Sequence, residues 1–187
     1  MARMGSLDRG PTPREQLPRA HQETHGRMAH MSRTLSMTTW EQVRAELDAL
    51  ERSEGASVPG PWTLPQVLVH CAQSIDCSLD GYPRLRPALF RATIGRIAKR
   101  KFLSQGFMSH GLDAAIPGAP ALEDAGLAPA LARLRQAITR FEAADASALK
   151  PHLAYGPCDK REYEALHAMH LADHLCAVQR SPAPRAA

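Results

Sequence analysis

Three histidines near the carboxyl end of the chain have the types and spacing that could do chemistry. His167, His170 and His174 lie in the segment HAMHLADHL. At 100° per residue they fall on roughly one face of a helix, which also holds Tyr163 and Leu166 and should enter the protein core. Buried imidazole nitrogens need partners, so three of them on a core-facing stripe conflict with simple apolar packing.

The spacing of two of these histidines suits a metal ion. His170 and His174 are four residues apart, so adjacent helical turns can present both rings to one ion. A third ligand must come from elsewhere, and His70 is the best candidate because it lies beside the apolar stripe of another predicted helix. Three neutral imidazoles would leave coordination positions open for water or substrate. Spacing alone leaves one alternative equally open: the histidines hydrogen-bond within the core or lie at its edge.

Two helices near the amino end are predicted from their capping sequences. The first begins at Thr38, where Glu41 lies three residues later, and the second begins at Thr63, followed by Gln66. Each pair forms a capping box, in which side chains satisfy backbone N–H groups that the first helical turn leaves open. The apolar stripes that follow are Trp40, Val43, Leu47 and Leu50 in the first helix, and Leu64, Val67, Leu68, Cys71, Ile75 and Leu79 in the second.

Three further helices are predicted downstream. A basic one covers roughly 88–103, and another runs from about 127 to 144 with its apolar residues on one side. The last begins at Asp159, with Glu162 as its capping partner, and runs to about residue 178. Between them, residues 106–120 hold three Gly and two Pro, which favours a long ordered loop.

These elements predict an all-α protein. No strand-like alternation of useful length appears, and aromatic residues make up only 5% of the chain, which suits helices better than sheets. The long helices must pack antiparallel through their apolar stripes. The predicted organisation is a disordered tail over 1–36, one helical domain over 37–180 and a short disordered tail over 181–187. His21, His25 and His30 fall in the first tail and are expected to do nothing specific.

The net charge of +4 is unevenly distributed. Residues 81–112 carry seven basic residues and no acid, whereas residues 38–80 carry seven acids and two basic residues. This basic segment is either a solvated helix face or an attractant for substrate carboxylates. Nucleic-acid binding is poorly supported, because stacking aromatics are few and no known motif appears. The basic residues are Arg84, Arg86, Arg91, Arg96, Lys99, Arg100 and Lys101.

The cysteines and the hydropathy pattern indicate a cytoplasmic protein. The four cysteines, at 71, 77, 158 and 176, form no C-x-x-C pair. No export signal is recognised, so they are expected to be reduced thiols. No apolar run approaches the roughly 20 residues needed to cross a bilayer, and we expect no membrane partner.

Three segments together resemble a known family. They are WTLPQVLVH (62–70), IPGAP (116–120) and HAMHLADHL (167–175). This combination resembles the DinB-like superfamily and, more narrowly, its branch catalogued as domain of unknown function 1569. The resemblance covers about residues 38–178. It implies a four-helix bundle, often dimeric, with the basic helix as an extra segment between the second and third bundle helices.

The resemblance also implies a ligand set. Many DinB-like proteins bind zinc or nickel through one histidine on the second helix and an H-x-x-x-H pair on the last. Those positions correspond to His70, His170 and His174 here. His167 is then a second-shell residue that orients a ligand or binds water, or an alternative ligand in place of His170.

Some DinB-like relatives transfer groups to low-molecular-weight thiols, so the resemblance implies a metal-dependent thiol S-transferase with a small-molecule substrate. Its better-studied members follow the last ligand with a polar motif such as HRGQ, whereas here Leu175 and Cys176 follow His174. That departure weakens the transfer of catalytic detail. Two alternatives therefore stay open: a non-catalytic metal-binding or partner-binding bundle, and a metal-dependent hydrolase that activates water.

Four other polar residues are weaker candidates for the site. Asp76 lies six residues after His70 and could approach a pocket, and His152 and Tyr155 could form its rim. Asp173, beside His174, is expected to point away from the ligand face, which makes a general-base role unfavourable. No carboxylate is placed in the site by a motif, so the catalytic residues stay open.

Overall fold

The computed structural model describes residues 34–180 of the 187-residue chain. The described part is all-helical, and its only strand-like pairings are two isolated bridges, Ser57 with Gln179 and His152 with Gly156. The expected role of His21, His25 and His30, residues 1–33 of the first predicted tail and the whole second tail (181–187) lie outside these residues. The helices are α1 (Trp40–Glu51), α2 (Leu64–Asp80), α3 (Ala88–Ala92), α4 (Ile94–Gln105), α5 (Leu127–Ala143), a 3-10 turn (Ala146–Ala148) and α6 (Lys160–Leu175).

The capping sequences fix where the two helices that carry His70, His170 and His174 begin. Thr63 caps α2 and Asp159 caps α6, each in a reciprocal capping box with the residue three positions later, as predicted. The predicted cap of α1 was wrong by one residue. Thr39 caps that helix, and the side chain of Gln42 rather than Glu41 accepts from the backbone N–H groups of Thr38 and Thr39. A Thr-Thr pair followed by Glu-Gln satisfies the pattern in either register.

The predicted basic helix is interrupted. Thr93 leaves the helical backbone conformation, with φ −116° and ψ −92°, and separates α3 from α4. Its hydroxyl donates to Leu89 O at 2.7 Å, a local bond that competes with continued helix. Beyond the break, α4 approaches the turn at Ala154 so closely that a Cβ on Gly95 would lie 1.9 Å from Ala154 O.

The main core lies between four helices. α2 packs against α5 and α6, α1 also packs against α5 and α6, and α4 covers part of α6. Every residue of the apolar stripes predicted for α1 and α2 is buried. α6 ends at Leu175, about three residues earlier than predicted, because Gln179 pairs with the backbone of Ser57 through bonds of 3.0 and 2.8 Å. Within residues 34–180, no helix has the length and apolar character to cross a membrane.

Two residues of the predicted amino-terminal tail contact the folded domain. Leu35 is half-buried and packs against the main core, and the Ser36 hydroxyl donates to Gly106 O at 3.1 Å. Met37 is itself a core residue, 2% exposed. The chain therefore makes its first described contacts just before α1, next to the end of α4.

Candidate metal centre

The three histidines singled out by spacing converge in the structure. His70 comes from the middle of α2, and His170 and His174 come from consecutive turns of α6. One ring nitrogen from each lies within 4.8 Å of the other two. The Nε2 atoms of His170 and His174 are 3.0 Å apart, and the centroid of the His70 ring is 5.1 Å from that of each partner. The packing of α2 against α6 brings these side chains together.

Burial keeps these imidazoles neutral. His70 and His174 are each 3% exposed, and His170 is half-buried. Desolvation, followed by repulsion from neighbouring histidines, lowers the pKa of His70 to about 4 and that of His174 to about 3. The same causes hold the pKa of His170 well below its usual range. All three are therefore neutral at pH 7, the form in which imidazole binds a metal.

The site fits a divalent metal on its own features. His70 Nδ1 is buried and has no hydrogen-bond partner among the described residues. The facing Nε2 atoms of His170 and His174 can satisfy only one another, and then only if one carries a proton. Three neutral nitrogen donors suit zinc, nickel, copper or iron rather than calcium or magnesium.

A fourth histidine, which sequence reasoning missed, lies beside this group. His110 belongs to the predicted loop 106–120, which is not helical. The centroid of its ring is 4.7 Å from that of His170 and 5.1 Å from that of His174. Its Nδ1 lies 2.6 Å from an oxygen of Asp173, and its backbone N–H donates to the same oxygen at 2.9 Å. Asp173 was expected to point away from the ligand face, but its carboxylate holds a histidine against that face.

His167 has a different environment from the other three. Its ring stacks on Tyr163 at 5.3 Å and on Trp40 at 6.1 Å, and it meets the edge of Phe141 at 5.9 Å. Its Nε2 is buried without a hydrogen-bond partner among the described residues. Desolvation and nearby His152 lower its pKa to about 3. The structure thus places His167 in the aromatic core next to the triad, outside the three nitrogens that converge.

A cavity of about 230 Å³ adjoins the triad. His70, His110 and His170 line it, and so do both predicted rim residues, His152 and Tyr155. Their two rings stack at 4.2 Å, and His152 Nδ1 accepts from the backbone N–H groups of Ala154 and Tyr155. The cavity is therefore a small, mainly apolar space with several imidazoles in its wall.

One comparison with known proteins gives a match. The family model described as "Protein of unknown function (DUF1569)" matches residues 29–181. The chain belongs to this family. No curated protein and no solved structure matches.

Two predicted candidates do not reach the site of this DUF1569 protein. Asp76 is paired with Arg133 and Arg140 of α5, so its carboxylate joins α2 to α5. Lys99 is 8% exposed, and its ammonium donates to Pro157 O at 2.8 Å and to Glu162 at 2.6 Å. Of the basic segment, Arg86 is the residue that lines the cavity.

The cysteines of this DUF1569 protein form no disulfide within the described residues. They are Cys71, Cys77, Cys158 and Cys176. Burial raises the pKa of Cys77 to about 11 and that of Cys158 to about 12. Cys77 and Cys158 are therefore protonated at neutral pH, which disfavours the thiolate form that binds metals and attacks electrophiles.

Proposed function

We propose that this protein binds one divalent metal ion, zinc or nickel, through His70, His170 and His174. The observation that carries the proposal is the convergence of three neutral imidazoles, two buried and one half-buried, whose nitrogens lie within 4.8 Å of one another. Buried polar groups without partners are costly, and a bound ion would satisfy all three. The protein's fold would then be partly stabilised by the metal.

The arrangement of these ligands supports a DinB-like fold. One ligand lies on the second helix, and an H-x-x-x-H pair lies on the last. We assign α1, α2, α5 and α6 to an antiparallel four-helix bundle of that type, with α3 and α4 as the inserted basic segment. Membership of the DinB-like superfamily and assembly as a homodimer are parts of this proposal.

The leading activity is a metal-dependent S-transferase acting with a low-molecular-weight thiol in the cytoplasm. A bound divalent ion lowers the pKa of a coordinated thiol, so that thiolate forms at neutral pH. The thiol's proton passes to solvent, its sulfur forms a bond to an electrophilic carbon, and the leaving group departs with its electron pair. The cavity beside His70 and His170 would hold the electrophile, and Arg86 at its wall would attract an anionic group.

The metal site is tested by the metal content of the full-length protein. We expect about one zinc or nickel per chain by mass spectrometry, lost in the double variant His170→Ala/His174→Ala because only one of the three ligands remains. The matched control is His21→Ala/His25→Ala, which removes the same number of histidines outside the described residues. Absence of stoichiometric metal from the wild type, even after reconstitution with zinc and nickel, would eliminate the site.

The transferase is tested separately, on metal-loaded protein. We expect loss of an electrophile that requires both the thiol and the bound metal, and that disappears in the double variant. Full metal content with no thiol-dependent loss across a panel of thiols would instead support a non-catalytic metal-binding protein. Loss of an ester or amide substrate without any thiol would identify a hydrolase.

A further inference from the structure

We propose that His110 is a fourth protein ligand to the metal and that Asp173 positions it. This inference rests on the proposed metal site at His70, His170 and His174. It adds a residue from the loop 106–120 to a site otherwise built on two helices. A thiol substrate would then bind the metal as a fifth ligand or in place of His110. Neither the spacing of the histidines nor the implied ligand set includes this residue.

The first argument for a fourth ligand is the distance between the histidine rings. The centroid of the His110 ring lies 4.7 and 5.1 Å from the centroids of His170 and His174. The corresponding distances within the triad are 4.8 to 5.1 Å. Measured ring to ring, His110 is therefore as close to the α6 pair as His70 is. The described nitrogens that lie within 4.8 Å of one another come from His70, His170 and His174, so the His110 ring would turn towards them to share the ion.

The second argument is the pattern of hydrogen bonds that His110 makes. Asp173 holds Nδ1 at 2.6 Å and also accepts from the backbone N–H of His110. With Nδ1 engaged by a carboxylate, Nε2 is left as the nitrogen that can accept or ligate. Metal-binding histidines almost always give their other ring N–H to a carboxylate, carbonyl or water, which fixes the tautomer and raises ligand basicity. Asp173 and His110 have this arrangement.

The loop is built to hold His110 in place. Met108 and Ile116 are buried on either side of it. At the end of the loop, Pro120 O accepts from the Gln73 side chain at 3.2 Å. Asp173 precedes His174 directly on α6, so one helical segment supplies both a ligand and the carboxylate that orients another ligand. The cost of ordering this loop against α6 is thus offset by contacts on both sides of His110.

The experiment uses full-length protein loaded with Zn²⁺. Zinc K-edge X-ray absorption should show four imidazoles in the wild type, and three plus an oxygen donor in His110→Ala. Zinc affinity, measured against a competing chelator, should fall 10–100-fold in Asp173→Asn and at least as far in His110→Ala. Added imidazole should restore the four-imidazole spectrum of His110→Ala. Ser109→Ala, an exposed neighbour in the same loop, is the control and should match the wild type.

The possible outcomes distinguish the fourth ligand from the proposed metal site at His70, His170 and His174. One zinc per chain, with an absorption spectrum and affinity that His110→Ala leaves unchanged, would overturn the fourth ligand and keep the triad. A wild type that binds neither zinc nor nickel would overturn both. Circular dichroism of each variant shows whether a lost signal reflects a lost ligand or a lost fold. If His110→Ala unfolds, Asp173→Asn decides, since an unaltered spectrum and affinity there would exclude the positioning role.

Discussion

His70 and His174 hold their rings neutral far below the usual titration range of histidine, since burial lowers their pKa values to about 4 and about 3. Protons compete with a metal only when the pH falls below the pKa of the ligands. We therefore expect zinc affinity to change less than about a hundredfold between pH 7.5 and 5, as measured with a calibrated chelator. Three histidines of ordinary pKa, near 6.5, would lose about ten thousandfold over that range.

The residues of the site differ in how far sequence could identify them. His170 and His174 share a helix, so the period of that helix places both on one face. His70 could be identified as a candidate ligand because it lies beside the apolar stripe of α2. His110 lies in an irregular loop, where no period fixes the direction of a side chain, and its partner Asp173 is 63 residues away. The one available signal was Asp173 itself, a carboxylate next to a ligand.

The contact between α4 and the turn 152–156 requires a residue without a side chain at position 95, which is Gly95. A Cβ on Gly95 would meet the backbone oxygen of Ala154 at 1.9 Å, and neither backbone can yield cheaply. We expect Gly95→Ala to lower the free energy of unfolding by about 1–3 kcal/mol, the range for overpacked sites. Urea denaturation at pH 7.5 measures this change.

The matched control for that substitution is Gly111→Ala. A Cβ there would meet only the Asp113 side chain, at 3.6 Å, which is ordinary contact. We expect its free energy of unfolding to stay within about 0.5 kcal/mol of the wild type, as for most surface changes. Equal stability of Gly95→Ala and Gly111→Ala would show that α4 does not dock on the turn as described.

Helix positions were predictable where the signal is local, and less so where tertiary contacts decide. The caps at Thr63 and Asp159 could each be predicted from only four residues of sequence. The break at Thr93 could not be predicted from the sequence of the basic segment, because a lone threonine is tolerated in helices. Close approach of Gly95 to Ala154 is a long-range feature, and nothing near residue 95 indicates it.

At the scale of the whole molecule, the core contains histidine nitrogens, His70 Nδ1 and His167 Nε2, that no described partner satisfies. The prediction of an all-α protein is confirmed for the described residues. Its physical reason is that long segments with one apolar stripe bury that surface by packing as helices against one another. Those stripes do not account for buried His167 or half-buried His152, which both lie among aromatic rings. Such buried bases make the stability of the fold depend on pH.

The sign of that dependence follows from the lowered pKa values of His152 and His167, each about 3. Desolvation is the main cause for both, with Lys99 adding to the shift at His152 and His152 to that at His167. In the unfolded chain these rings bind protons below about pH 6.5, whereas the folded rings stay neutral until about pH 3. Stability is therefore complete above pH 6.5 and is lost as the pH falls towards 3.

His167→Phe tests this argument, because it keeps an aromatic ring among Trp40, Phe141 and Tyr163 and removes the titrating nitrogen. At pH 5 a single such histidine costs about 2 kcal/mol of folding free energy relative to pH 7.5. In chelator-treated protein, we expect the variant to lose about 2 kcal/mol less than the wild type over that range, by urea denaturation. Parallel pH profiles would mean that water or a proton reaches His167 in the folded protein, and that the ring is not sealed within the aromatic core.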